Sequence, residues 1–193
     1  FASSQPILED DYYRYLWDGA LTAHGYNPYT IRPADALAEG NGIPIAIAEL
    51  ARDSHPILAR VNHPELGTIY PPVAQAFFAV AYWMAPWQTA GLRVLYYLAD
   101  CAVFALLLAL LRQLKRSPGL VLLYWWNPLC AKELYNSLHM DILLLPWLLA
   151  GLLLLLRGRP ALASVALALA TAVKLWPMLL LAPLQTTLRM RPR

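Results

Sequence analysis

Charge is scarce in this 193-residue chain. Asp, Glu, Lys and Arg make up 14% of it, against roughly 25% in an average soluble domain. With 59% hydrophobic residues and a mean hydropathy of +0.45, the polar surface is too small to cover an ordinary water-soluble domain. The same balance argues against intrinsic disorder, which needs low hydrophobicity and high net charge. Cysteine is almost absent. Cys101 and Cys130 both lie in apolar runs and supply neither a disulfide framework nor a zinc spacing. The net charge of +3 is too slight to point to nucleic acid. The opening residues carry no basic n-region and no small-residue cleavage site, so they do not read as a signal peptide. The expectation is an internal piece of a longer membrane protein, with at least one helix before it.

What is present divides into two parts. Residues 1–72 are mixed, hold most of the acidic side chains, and are punctuated by Pro and Gly from Pro6 to Gly67, as turns and short helices require. Residues 73–193 are dominated by apolar runs. The expected fold is all-α and integral to a membrane: a partial polytopic helical bundle, preceded by an extracytoplasmic loop containing short interfacial helices.

A spanning helix needs roughly 20 mostly apolar residues. Residues 92–111, 119–135, 138–156 and 161–184 are the expected spans, the last broken near Lys174 and Pro177. Residues 73–87 are apolar but short and flanked by prolines, which suits a re-entrant or interfacial helix. Lys and Arg gather on the cytoplasmic side of short loops. Placing Arg112, Lys115 and Arg116, then Arg157 and Arg159, then Arg189, Arg191 and Arg193 inside puts residues 1–90 and the turn at 136–141 outside. Keeping the last cluster inside then favours two short helices meeting near Lys174 over one kinked span.

Four polar features stand where bland helices would not put them. The first is Glu9-Asp10-Asp11 followed by Tyr-Tyr-Arg14-Tyr15-Leu-Trp17-Asp18. Neighbouring carboxylates repel, which favours the protonated form of one, and a carboxylate so tuned serves as a general base. Asp11, Arg14 and Asp18 share one helix face. The plain alternative is an acidic helix start, since Asp and Glu favour the first turn. The second is Asn62-His-Pro-Glu-Leu-Gly-Thr68-Ile-Tyr70-Pro-Pro with Gln75 beyond. A rigid entry turn explains the prolines but not Thr68, Tyr70 and Gln75 together beside the membrane. The third is Asn136-Ser-Leu-His139-Met-Asp141. Ionisable groups at membrane depth face a cavity or a partner. His139 and Asp141 could take a divalent cation, or could form a structural His–Asp pair. The fourth is Lys174, which could neutralise a phosphate as a compact charge, snorkel to an interface, or pair with Asp100 or Asp141.

The order Asp11-Tyr-Tyr-Arg-Tyr-Leu-Trp-Asp-Gly19, Gly25-Tyr-Asn27-Pro-Tyr29, Asn62-His-Pro, Thr68-Ile-Tyr-Pro-Pro-Val-Ala-Gln75, His139-Met-Asp141 and Lys174-Leu-Trp-Pro177 resembles the bacterial GT-C glycosyltransferases. Within them it is similar to the polyprenol-phosphate-mannose-dependent mannosyltransferases, glycosyltransferase family eighty-seven. The resemblance implies a polytopic enzyme with an acidic motif in its first extracytoplasmic loop. It implies a polyprenyl-phosphate sugar donor, a lipid or glycan acceptor, and inversion at the anomeric carbon. Asp11 would be the general base with Asp10 as its helper, and Arg14 or Lys174 would hold the donor phosphate. Tyr15, Trp17, Asp18, Asn27, Tyr29, Tyr70, Gln75, His139 and Asp141 would contact substrate. No cofactor is required, a divalent cation is allowed, and no nucleic acid is expected. Two other classes compete: a transporter or flippase of lipid-linked sugars, and a noncatalytic membrane scaffold.

Overall fold

The computed structural model describes residues 6, 9–38, 42–54 and 56–180. Among these every regular element is helical, with no strand. Helix α1 (Asp11–Ala23), short α2 (Pro33–Leu37) and α3 (Ile45–Asp53) are followed by a 3-10 turn at Leu58–Arg60. Next come α4 (Pro72–Met84), long α5 (Thr89–Gln113), one-turn α6 (Leu122–Trp125) and α7 (Pro128–Ala131), then α8 (Leu145–Leu156) and α9 (Pro160–Val173).

Helix α1 buries nine consecutive residues, Tyr13 to Leu21, because it lies between two apolar clusters. One face packs Tyr13, Trp17, Ala20 and Leu21 on Ile47, Leu50 and Leu58. The other packs Tyr15 and Leu16 on the bundle of α4, α5, α8 and α9. Close approach makes this possible: a Cβ on Gly19 would stand 2.5 Å from the Phe78 carbonyl oxygen. At Gly91 a Cβ would collide with the Ala81 carbonyl in the same way, which draws α5 against α4.

The expected spans fare unevenly. Residues 92–111 lie within α5, 25 residues that are long and apolar enough to cross a membrane, and most of its surface is uncovered by the rest of the described chain. Residues 119–135 do not form a span. Pro118 and Pro128 each start a new short helix, because proline donates no backbone hydrogen bond and clashes with the turn before it. Of residues 138–156 only Leu145–Leu156 is α-helical, preceded by a 3-10 turn at Met140–Leu143. Pro128–Asn136 and Met140–Leu156 count together as a second, broken span only if a 99° bend is allowed. In the run 161–184 the α-helix ends at Val173, where Pro177 would meet the carbonyl four residues back, and a 3-10 turn follows at Trp176–Leu180. Residues 181–184, and with them the basic cluster Arg189, Arg191 and Arg193, lie outside the described residues. Of residues 73–87, 73–84 lie in α4, which at 13 residues is shorter than a crossing helix and packs along α1 and α5.

Candidate active site

Asp11 opens α1, with Asp10 in the N-cap position just outside the helix. Two hollows meet at Asp11. The larger is a cleft of about 470 Å³. Asp11, Tyr15, Ile69 and Tyr70 form one wall; Glu133, His139, Asp141 and Lys174 stand on the other, with Leu134 and Met140. The smaller, about 100 Å³, runs along the 62–70 loop and shares Asp11, Ile69 and Tyr70.

Aromatic packing builds the first wall. Tyr15 stacks on Phe78 at 4.6 Å and meets the edge of Tyr70 at 5.1 Å. Tyr70 in turn stands edge-on to Phe78 at 5.6 Å, and Tyr29 Oη donates to the Tyr70 carbonyl at 2.8 Å. Burial, with the Asp11 charge second, pushes the Tyr70 phenol up to about 12. At neutral pH Tyr70 is therefore a hydroxyl donor.

Irregular backbone builds the second wall. A π-helical turn at Lys132–Asn136 gives way to Leu138, fully buried at φ +58. A left-handed Leu is a strained conformation that surrounding packing must hold. The break turns His139 and Asp141 into the cleft. His139 Nε2 lies 3.0 Å from Glu133 Oε2 and 3.6 Å from Glu9 Oε1. Glu133 Oε1 also takes Lys132 Nζ at 2.8 Å. Lys174, extended at the end of α9, places Nζ 2.7 Å from both carboxylate oxygens of Asp141. Of the partners open to Lys174, the fold selects Asp141. His139 and Asp141 do not pair with each other, each having its own counterpart. Among the described residues no group of three or more His, Cys, Asp or Glu is arranged to hold a metal ion.

Several expected substrate contacts lie elsewhere. Trp17 is wholly buried in the cluster against α3, so its indole cannot meet a ligand. Asp18 is 1% exposed and Gln75 3%. Gln75 Nε2 donates to Asp18 Oδ2 at 3.2 Å and to Thr68 Oγ1 at 2.9 Å, a polar pin between α1, α4 and the loop before α4. Arg14 spends three of its N–H groups on backbone carbonyls: Nη1 on Leu66 at 3.0 Å, Nη2 on Asn62 at 3.0 Å and His63 at 2.8 Å. It clamps the 62–66 loop and lines the smaller hollow beside Asp11 rather than the larger cleft. Asn27 is exposed and accepts from the Tyr29 N–H at 3.0 Å, which shapes a turn. Asp10 is exposed and is not part of the cleft wall.

The cleft also holds a residue that sequence reasoning passed over. Glu133 lies inside the expected span 119–135, and the adjacent Lys132-Glu133 pair is the signal in the sequence that interrupts that run. Asp100, midway along α5, accepts from Tyr124 Oη at 2.7 Å, Trp125 Nε1 at 3.1 Å and Tyr135 Oη at 2.8 Å. It ties α5 to the 124–135 segment, the packing role rather than a place in the cleft.

No curated protein and no solved structure matches the chain. A family does: residues 1–189 match the MptA_B family, described as alpha-(1->6)-mannopyranosyltransferase, N-terminal domain. The chain belongs to that family.

Proposed function

From this membership we propose that the protein is an inverting GT-C enzyme of the membrane. It transfers mannose from a polyprenyl-phosphate donor to a lipid or glycan acceptor on the extracytoplasmic side. The observation that carries the reading is that Asp11 and Lys174 line one cleft: a carboxylate to take a proton and a cation to meet a leaving phosphate. In the reaction the acceptor oxygen attacks the anomeric carbon as its proton passes to Asp11. The bond from that carbon to the phosphate oxygen breaks on the opposite face, and lipid phosphate leaves beside Lys174. One base and one stabilised leaving group suffice for such an in-line displacement. Tyr70, kept protonated by its surroundings, can donate to a substrate oxygen; His139, steadied by Glu133, can orient a hydroxyl. Asp10, exposed at the helix cap, would act only through its charge.

A lipid-borne donor accords with a helix long and apolar enough to cross a membrane, Thr89–Gln113. Large exposed aromatics, Trp83 at 65% and Trp126 at 77%, suit a bilayer interface. Assigning residues 1–72 as an extracytoplasmic loop and 73–193 as a multi-pass region belongs to the same proposal.

The test is Asp11→Asn in the full-length protein. Transfer from polyprenyl-phosphate mannose is expected to fall by about 10²–10⁴-fold with membrane insertion unchanged. Unaltered transfer removes Asp11 from the chemistry. The transporter reading draws on two broken segments, at residues 137–139 and at Lys174, that reach the same cleft. Donor moved across the bilayer with no glycosylated product would favour it.

A further inference from the structure

Lys174 is the cation in the wall of the cleft, and it is already matched. Its Nζ sits 2.7 Å from both oxygens of Asp141, while the two side chains remain 45% and 43% exposed. A pair so well hydrated is held weakly enough to open for a ligand oxygen. Two further carboxylates, Asp11 and Glu133, share the lining, and the His139 imidazole stands 3.0 Å from Glu133.

A sugar esterified to a lipid phosphate is a phosphodiester with one negative charge. The lipid phosphate left after transfer is a monoester carrying about −1.5 to −2 at pH 7. An unmatched lysine would hold the spent monoester more tightly than the incoming diester, and the product would stay. A carboxylate sharing the ammonium cancels most of its attraction, and the Asp11 and Glu133 carboxylates in the same lining then make each added ligand charge unfavourable.

We propose that Asp141 makes the cleft select a lipid phosphodiester over the corresponding lipid phosphomonoester, so that the spent carrier is expelled. The inference rests on the donor reading above and extends it to a residue that touches Lys174 and not the reacting atoms. Affinity for the donor then comes from its hydrocarbon and sugar, against Ile69, Leu134 and Met140 in the lining, rather than from charge.

The experiment compares farnesyl phosphate with farnesyl methyl phosphate, a monoester and a diester on the same tail. Binding is titrated calorimetrically to the full-length protein at pH 7.5. The unaltered protein is expected to prefer the diester. Asp141→Asn is expected to tighten the monoester about tenfold and the diester less, cancelling the preference; Asp141→Glu is expected to keep it. If Asp141 is only a tether between the Met140–Leu143 turn and the end of α9, Asn will weaken both esters alike or neither, and the proposal falls. It falls equally if the unaltered protein prefers the monoester or binds neither ester. The expected preference in a protein that transfers no mannose would retire the donor reading and leave the selectivity supported.

Discussion

Asp18 is 1% exposed, and burial raises its carboxyl from 3.8 to about 6, outweighing hydrogen bonds from Thr68 and Gln75 and the charge of Arg14. The folded state therefore binds this proton more tightly than the unfolded chain. The stability it contributes is complete below about 4 and is lost as pH rises through about 6. A change of about two pH units, at about 1.4 kcal/mol each, puts the loss at about 3 kcal/mol by pH 7.5. Asp18→Asn keeps the shape, still accepts from Gln75 through its amide oxygen, and carries no charge to bury. At roughly 2–4 °C per kcal/mol for a chain of this size, the substitution should raise Tm by about 6–12 °C at pH 7.5. It should change Tm little at pH 4.5. The assay is thermal unfolding of the full-length protein in detergent, followed by tryptophan fluorescence across that pH range. Equal effects at both ends, or a loss of stability at pH 7.5, would refute burial as the dominant influence on Asp18.

Other perturbations test the frame around the cleft. Gly19→Ala sets a Cβ 2.5 Å from the Phe78 carbonyl oxygen; wedging α1 from α4 should cost about 1–3 kcal/mol, read as a lower Tm and yield. Arg14→Lys cannot reach the Asn62, His63 and Leu66 carbonyls together. It should lose about 1–3 kcal/mol and speed proteolysis within residues 62–67. Lys174→Gln should lower kcat about tenfold with a smaller change in the donor KM; an unchanged kcat would separate Lys174 from the leaving phosphate. A phosphatase reporter fused after Tyr29 should be active outside the cytosol, and a cytosolic signal would overturn the proposed orientation.

Residues that begin or break a helix were the readable ones. Asp11 stands at a helix start because acidic side chains favour the first turn, and Lys174 stands at a helix end because Pro177 follows by three. Each could be singled out before any geometry was known, and each reaches the cleft. Depth within the fold was the hidden quantity. Trp17, Asp18 and Gln75 sit beside Asp11, Tyr15 and Tyr70 in the sequence and look equally chemical. A helix turns 100° per residue, however, and here both sides of α1 are covered, so the same motif sends Trp17 and Asp18 inward while Asp11 stays at the cleft. Run length misled in a comparable way. Residues 119–135 are apolar enough in aggregate, yet Pro128 divides them, and Glu133 joins the cleft wall.

The broken backbone and the charges require each other. A continuous helix through residues 132–156 would satisfy its own carbonyls and N–H groups and carry Glu133, His139 and Asp141 around its circumference, on no single face. The π-helical turn, the left-handed Leu138 and the 3-10 turn cancel that rotation and deliver all three side chains to one cleft. The irregular segment needs packing to repay its strain, and Leu138, Met140, Ile142 and Leu143 supply it by being at most 2% exposed. Substituting Leu138 with Gly relieves the φ penalty but empties a fully buried site, and Leu-to-small changes in a core cost about 2–5 kcal/mol. The net effect should be destabilising, with transfer lost faster than folding, because the three polar side chains on the second wall depend on that one turn. Retained transfer at a lowered Tm would show instead that the cleft tolerates a looser second wall.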